Sequence, residues 1–186
     1  MFESGWFWGL CALTVFWALG AYNRLVRLRA QVVSRYNELM VALSGLIELA
    51  QNTLSEGVSD TAGPRQDANA SHIAACWRRL NHTSTQASVA LARMQEHCWL
   101  PQSVQDLNQT WRLFEATWDE LKVSPWGLLP EPARIQWQEQ RLLSQPLRRG
   151  FNASVEQYND AIAQFPANIV AKLFHFDPAA VLQENA

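Results

Sequence analysis

The side chains best suited to metal or acid–base chemistry are few in this chain. His72 and Cys76 stand one helical turn apart, where an imidazole and a thiolate on one face could share an ion, and His97 adjoins Cys98. A structural zinc site takes about four ligands. No third and fourth ligand at suitable spacing accompanies either pair, so a surface histidine beside a core cysteine is the ordinary account. His175 and Asp177, in LFHFDP, could be drawn as a base and its orienter, but no nucleophile motif stands with them. No phosphate loop, G-x-S-x-G, H-E-x-x-H or dinucleotide fingerprint occurs. The expectation is a non-enzymatic protein with no catalytic residues, metal or cofactor.

Charge is the next source of chemistry. The net charge of −2 comes from 15 basic and 17 acidic residues spread through 186 positions. That leaves no basic stripe for a phosphate backbone, so nucleic acid is not an expected partner. The exception is local: Arg24, Arg27 and Arg29 follow directly on an apolar run. Cations there either contact anionic lipid headgroups, at about 1 kcal/mol per charge near such a surface, or only set topology. Three cysteines, Cys11, Cys76 and Cys98, form no C-x-x-C pair, and Cys11 lies inside the apolar run, so a disulfide framework is not expected.

The apolar run is GWFWGLCALTVFWALGAY, Gly5 to Tyr22, without a charge. Its length approaches the roughly 20 residues that cross a hydrocarbon core. Trp6 and Trp8 at one end, and Trp17 and Tyr22 toward the other, fit rings that settle at the two interfaces. Ala18-Leu19-Gly20 could pass as a cleavage site, but a signal peptide wants positive charge before its apolar run, and here only Glu3 precedes it. We read residues 1–22 as a single-pass transmembrane anchor. The arginines that follow it predict the N-terminus outside and the rest of the chain in the cytoplasm. Gly5 and Gly9 make a G-x-x-x-G, which allows self-association in lipid and hence a homo-oligomer.

Beyond Tyr22 the apolar residues take a helical period. Leu25, Leu28, Val32, Tyr36, Leu39, Leu43, Leu46 and Ala50 draw one stripe down a helix that continues out of the anchor, from Ser4 to about Leu54. Residues 55–71, small and polar with Gly57, Gly63 and Pro64, read as a flexible loop. A second stripe runs Ile73, Trp77, Leu80, Ser84, Ala87, Leu91, Met94, Cys98 until Leu100-Pro101. A third runs Val104, Leu107, Trp111, Phe114, Trp118, Leu121, before a turn marked by Ser124, Pro125, Gly127 and Pro130. The fourth spans about Glu131 to Phe165, with Ile135, Leu142, Leu147, Phe151, Val155, Tyr158, Ile162 and Phe165 as its apolar face. Pro146 should kink or split it. Pro166 ends it, and Asn168 can cap a short helix from Ile169 to Phe174.

These stripes predict an all-α protein: an elongated antiparallel four-helix bundle over residues 23–180, whose first helix doubles as the anchor, with a disordered tail at 181–186. Within it one feature is unusual. Phe151-Asn152 and Tyr158-Asn159 place an aromatic and an asparagine together twice, one heptad apart, and the first helix carries Tyr22-Asn23 and Tyr36-Asn37. Asparagine is a poor helix-interior residue. The aromatics read as core. The amides on the flank of the stripe read either as bonds across to another helix that fix register or as solvent-facing groups.

YNRLVRLRAQV after the apolar run, with RRGFNASVEQYNDAIAQFPANIVAKLFHFDPA near the other end, resembles the LemA family. The likeness is firm at about residues 20–35 and 147–180. It rests on Tyr22, Asn23, Leu25 and Leu28, and on Phe151, Asn152, Tyr158, Asn159, Phe165, Pro166 and Asn168. The resemblance implies a bacterial single-pass inner-membrane protein with an elongated helical bundle and no agreed catalytic residues. The family's biochemical activity is not established, and the resemblance suggests membrane proteins of the TPM type as partners; our own reading of the chain is a scaffold or adaptor with protein partners, with an anionic-lipid-binding or membrane-shaping self-assembling protein as the alternative. Two departures stand out. The family's Arg-Arg-aromatic-x-Leu-Ile-Pro-Asn segment is replaced by VALSGLIELAQNT, residues 41–53, and His175 stands where the family usually has glycine.

Overall fold

The computed structural model describes residues 3–61, 68–96, 100–125 and 128–183, and no strand occurs among them. They form α1 (Glu3–Thr61), α2 (Ala68–Glu96), α3 (Pro101–Lys122), α4 (Glu131–Ala163) and α5 (Ala167–Leu173). Helix α1 packs along α4 and α2, α2 packs along α3, and α5 lies against α1 and α4.

Helix α1 has two environments. From Leu25 to Ala50 its stripe is buried, with Leu25, Leu39, Leu43 and Leu46 each almost inaccessible. Toward the N-terminus the side chains from Trp6 to Leu19 project from the molecule: Trp6 is 86% and Phe16 78% exposed. Helix α1 is, by length and composition, long and apolar enough to cross a membrane. The one hydroxyl between Trp6 and Leu19, that of Thr14, donates to the Leu10 carbonyl at 2.8 Å and so presents no unsatisfied donor on that surface. Residues 41–53 belong to the same helix, with Leu43, Leu46, Ile47 and Ala50 in the core.

The second and third stripes are buried or half-buried as predicted, Cys98 lying outside the described residues. Pro101 occupies the first turn of α3, where a missing N–H costs nothing. Helix α4 differs from its predicted face. Ile135 and Leu142 are exposed, and the residues buried instead are Ala133, Trp137 and Ser144. The true seam is thus Trp137, Ser144, Phe151, Tyr158, a heptad series. Trp137 stacks on Trp118 of α3 at 4.3 Å between centroids with planes 15° apart, and Phe114 meets it edge-on at 5.3 Å. These rings fill the space between α3 and α4. Pro146 neither kinks nor splits the assignment: α4 runs unbroken through it. Pro146 and Leu142 are both exposed, so the carbonyl that the proline leaves without its helical partner lies on the water-facing side.

The predicted 55–71 loop is helical at both ends, as α1 reaches Thr61 and α2 begins at Ala68; Gly63 and Pro64 lie outside the described residues. Gly57 is therefore a helix residue with a packing role. A Cβ built there would sit 2.3 Å from Cζ2 of buried Trp77, so the missing side chain lets α2 press its indole onto the α1 backbone. Gly57→Ala should cost about 1–3 kcal/mol by overpacking, although alanine is the better helix former by about 1 kcal/mol. A urea titration in which the variant is as stable as the parent would remove Gly57 as the contact point.

Candidate functional site

The heptad pair of asparagines on α4 anchors an organised set of polar contacts among the described residues. Asn159 Nδ2 donates to the Ala179 carbonyl at 2.8 Å and its Oδ1 accepts from the Ala179 N–H at 2.9 Å. Asn152 does the same to Leu182, at 2.7 and 2.9 Å. Each amide thus closes a two-bond ring on one backbone residue of the extended C-terminal segment. Two helical turns advance about 10.5 Å, and three extended residues advance about 10 Å. The heptad of asparagines therefore meets every third residue of the tail. Phe176, Ala179 and Leu182 are the buried tail residues, at the three-residue period of a polyproline-II strand.

Other elements complete the clamp. Tyr158, between the asparagines, donates from its hydroxyl to the Asp177 carbonyl at 3.0 Å. Burial pushes the Tyr158 phenol above its usual pKa, with Asp177 adding to this and the Arg29 guanidinium opposing it, so the hydroxyl remains a neutral donor. From α3, Asn108 Oδ1 accepts from the Gln183 N–H at 3.1 Å, and Arg112 reaches the Gln183 side-chain carbonyl. Arg148 of α4 donates to the Gln183 backbone carbonyl at 3.2 Å. At the start of the strap, Tyr22 of α1 packs on Phe174 and Phe176 at 4.8 and 5.9 Å, and Arg29 lies over the Phe176 ring at 6.0 Å. The tail straps α1, α3 and α4 together.

The corner that launches the strap is a Schellman-type stop. Phe176 N–H donates back to the Ala171 carbonyl at 2.9 Å, and Phe174 N–H to Val170 at 3.0 Å. His175 between them has φ 55°, the left-handed region that disfavours a side chain.

The residues singled out in the sequence divide accordingly. Leu25, Phe151 and Tyr158 are core, and Leu28 packs against it half-buried. Asn152 and Asn159 do bond across, but to an extended segment and not to a helix. Asn23 and Asn37 are exposed, so the aromatic–asparagine pair has no matching role on α1. Phe165 lies beyond α4 and is 79% exposed, which corrects its assignment to the apolar face. Pro166 precedes α5 as its N-cap. Asn168 does not cap α5 with its side chain: its Oδ1 is buried without a partner, and its N–H donates to the Gln164 carbonyl at 2.9 Å. Arg24, Arg27 and Arg29 are exposed at the end of the apolar half of α1. The tail expected to be disordered from 181 is packed through Gln183, with Leu182 buried; residues 184–186 lie outside the described residues. His72 Nδ1 and Cys76 Sγ touch at 3.8 Å, and no group of three or more His, Cys, Asp or Glu converges among the described residues. His97 and Cys98 lie outside them.

The class defined by these features is an all-helical protein with one long, partly unburied apolar helix and a clamped C-terminal strap. The LemA family model matches residues 134–186, the stretch holding nearly all of α4 together with α5 and the strap, and the likeness is to that part of the chain. Neither a curated protein nor a solved structure matches the chain.

Two outcomes follow. Asn152→Ala or Asn159→Ala leaves one backbone N–H and one C=O of the strap without partners, which should cost about 1–3 kcal/mol. Hydrogen exchange should speed up at Leu182 and Ala179 respectively, while the α2 and α3 amides stay protected. Unchanged exchange at both tail amides would refute the clamp. His175→Gly should stabilise by about 1 kcal/mol, since glycine meets no left-handed penalty; a lower melting temperature would mean that the imidazole does more than occupy the turn.

Proposed function

We propose that this chain is a single-pass bacterial inner-membrane protein whose antiparallel four-helix bundle serves as a non-enzymatic scaffold or adaptor. The observation that carries the reading is α1. Its N-terminal third presents tryptophan, phenylalanine and leucine outward, and the same unbroken helix goes on to bury the stripe from Leu25 to Ala50 in the core. Water opposes such a surface, and a hydrocarbon core accepts it because the helix satisfies its own backbone. A rigid connection from anchor to core holds the bundle at a fixed attitude to the membrane, which suits a protein that positions others. The proposed partners are membrane proteins, a TPM-type protein among them, and further copies of this chain. Arg24 and Arg27 are exposed, and Arg24 lines a groove with Phe165, which favours a second reading in which lipid itself is the ligand.

Orientation and role are tested together. With Cys11, Cys76 and Cys98 replaced by alanine, Val123→Cys, 78% exposed at the end of α3, should resist a membrane-impermeant maleimide on intact cells and react after permeabilisation. Reaction before permeabilisation would invert the topology. Gentle solubilisation of the tagged chain, sizing and mass spectrometry should yield a complex larger than the monomer, held at constant stoichiometry. A monomer under every mild detergent would count against the scaffold.

A further inference from the structure

Resting on the membrane-anchoring reading above, we propose a site for one phospholipid in the groove between α1 and the α4–α5 corner. The groove encloses about 500 Å³ and is walled mainly by Leu13, Trp17, Gly20 and Arg24 of α1 on one side and Phe165 and Pro166 on the other. Residues 13, 17, 20 and 24 follow steps of four, three and four, so they form one face of the helix.

The dimensions and chemistry of this groove point to lipid. From Leu13 to Arg24 is eleven residues, about 16 Å of helix, close to the 15 Å or so of one leaflet of a 30 Å hydrocarbon core. One end therefore carries a guanidinium at headgroup level, and the rest is apolar to about mid-membrane depth. Small Gly20 and neighbouring Ala21 give the wall a recess, and a Cβ built on Gly20 meets nothing within 4 Å. An acyl chain fits the recess, and a phosphodiester fits Arg24, since guanidinium pairs with phosphate through parallel N–H donors.

The opposite wall has the form of a membrane-seated edge. Phe165 in the turn before α5, and Ile169 and Leu173 on one face of α5, are 79%, 57% and 69% exposed. Phe165 lines the groove opposite Leu13 and Trp17, and Phe174, just past α5, packs on Tyr22 of α1. A ridge of this kind dips into the leaflet that α1 crosses. The bound lipid would fill the wedge left between the ridge and the helix. In this arrangement Arg24 is a ligand to the phosphate, and Phe165 closes the groove over the acyl chain.

The test uses the full chain in vesicles of three parts phosphatidylethanolamine to one part phosphatidylglycerol. Benzoylphenylalanine replaces Trp17 in one sample and Leu19, 56% exposed and outside the groove lining, in another. After irradiation, intact mass should show a phospholipid adduct at position 17 about tenfold above that at 19, the ratio corresponding to 1.4 kcal/mol of site preference. Gly20→Leu, which fills the recess, should reduce the position-17 adduct to the level seen at 19, and Arg24→Gln should lower it severalfold. If Gly20→Leu lowers the melting temperature, Phe165→Ala provides the same comparison from the other wall. Equal adducts at 17 and 19 would show ordinary surrounding lipid and overturn the site. An adduct with a second copy of this chain would also overturn it, giving the groove to a protein interface. Release of the whole chain from the vesicles by alkaline carbonate would sink the anchoring reading itself, whereas retention with unselective labelling sinks only the site.

Discussion

The arrangement depends on a match of two lengths. A heptad on an α-helix and three residues of extended chain both advance by about 10 Å, so two asparagines seven apart engage two tail residues three apart. Each amide offers one donor and one acceptor, as a neighbouring strand would, and each engages both the N–H and the C=O of a single residue. An extended segment laid on helices has no ladder in which to pair its polar groups, yet they must be paired when buried. The asparagines solve this locally, and hence the tail can bury Phe176, Ala179 and Leu182 without leaving the backbone at positions 179 and 182 unpaired.

The strap in turn fixes the end of the molecule from which the apolar part of α1 emerges. Tyr22 sits at that boundary with its ring against Phe174 and Phe176, and Arg29, two turns further on, covers Phe176 from α1. The Tyr158 hydroxyl and the Schellman turn at His175 hold the same corner. Loosening the tail would therefore act on the angle at which α1 leaves the core.

Much of the helical arrangement was legible because apolar periodicity is a local signal. Val104, Leu107, Trp111, Phe114, Trp118 and Leu121 were named as a stripe and all are buried. On α4 the apolar residues Ile135 and Leu142 suggest a face that the structure leaves exposed, because the heptad running back from Phe151 leads through Ser144 to Trp137. Gly57 was misread because glycine marks both a turn and a close helix contact, and only the Trp77 indole decides between them. The asparagine pair was recognised as needing an explanation. Its partner was missed because the tail's signal has a period of three, Phe176, Ala179, Leu182, which neither the helical nor the strand template detects.

The region matched by the family model, residues 134–186, coincides with one physical unit: nearly all of α4 with its two asparagines, α5, and the strap they hold. The rest of the chain contributes surfaces to that unit. α1 brings Tyr22 and Arg29, and α3 brings Asn108 and Arg112. Residues 41–53 of α1 are packed as ordinary core through Leu43, Leu46 and Ala50. The clamp therefore draws on α1 near Tyr22 and Arg29, and the deeper part of the same helix supplies core packing.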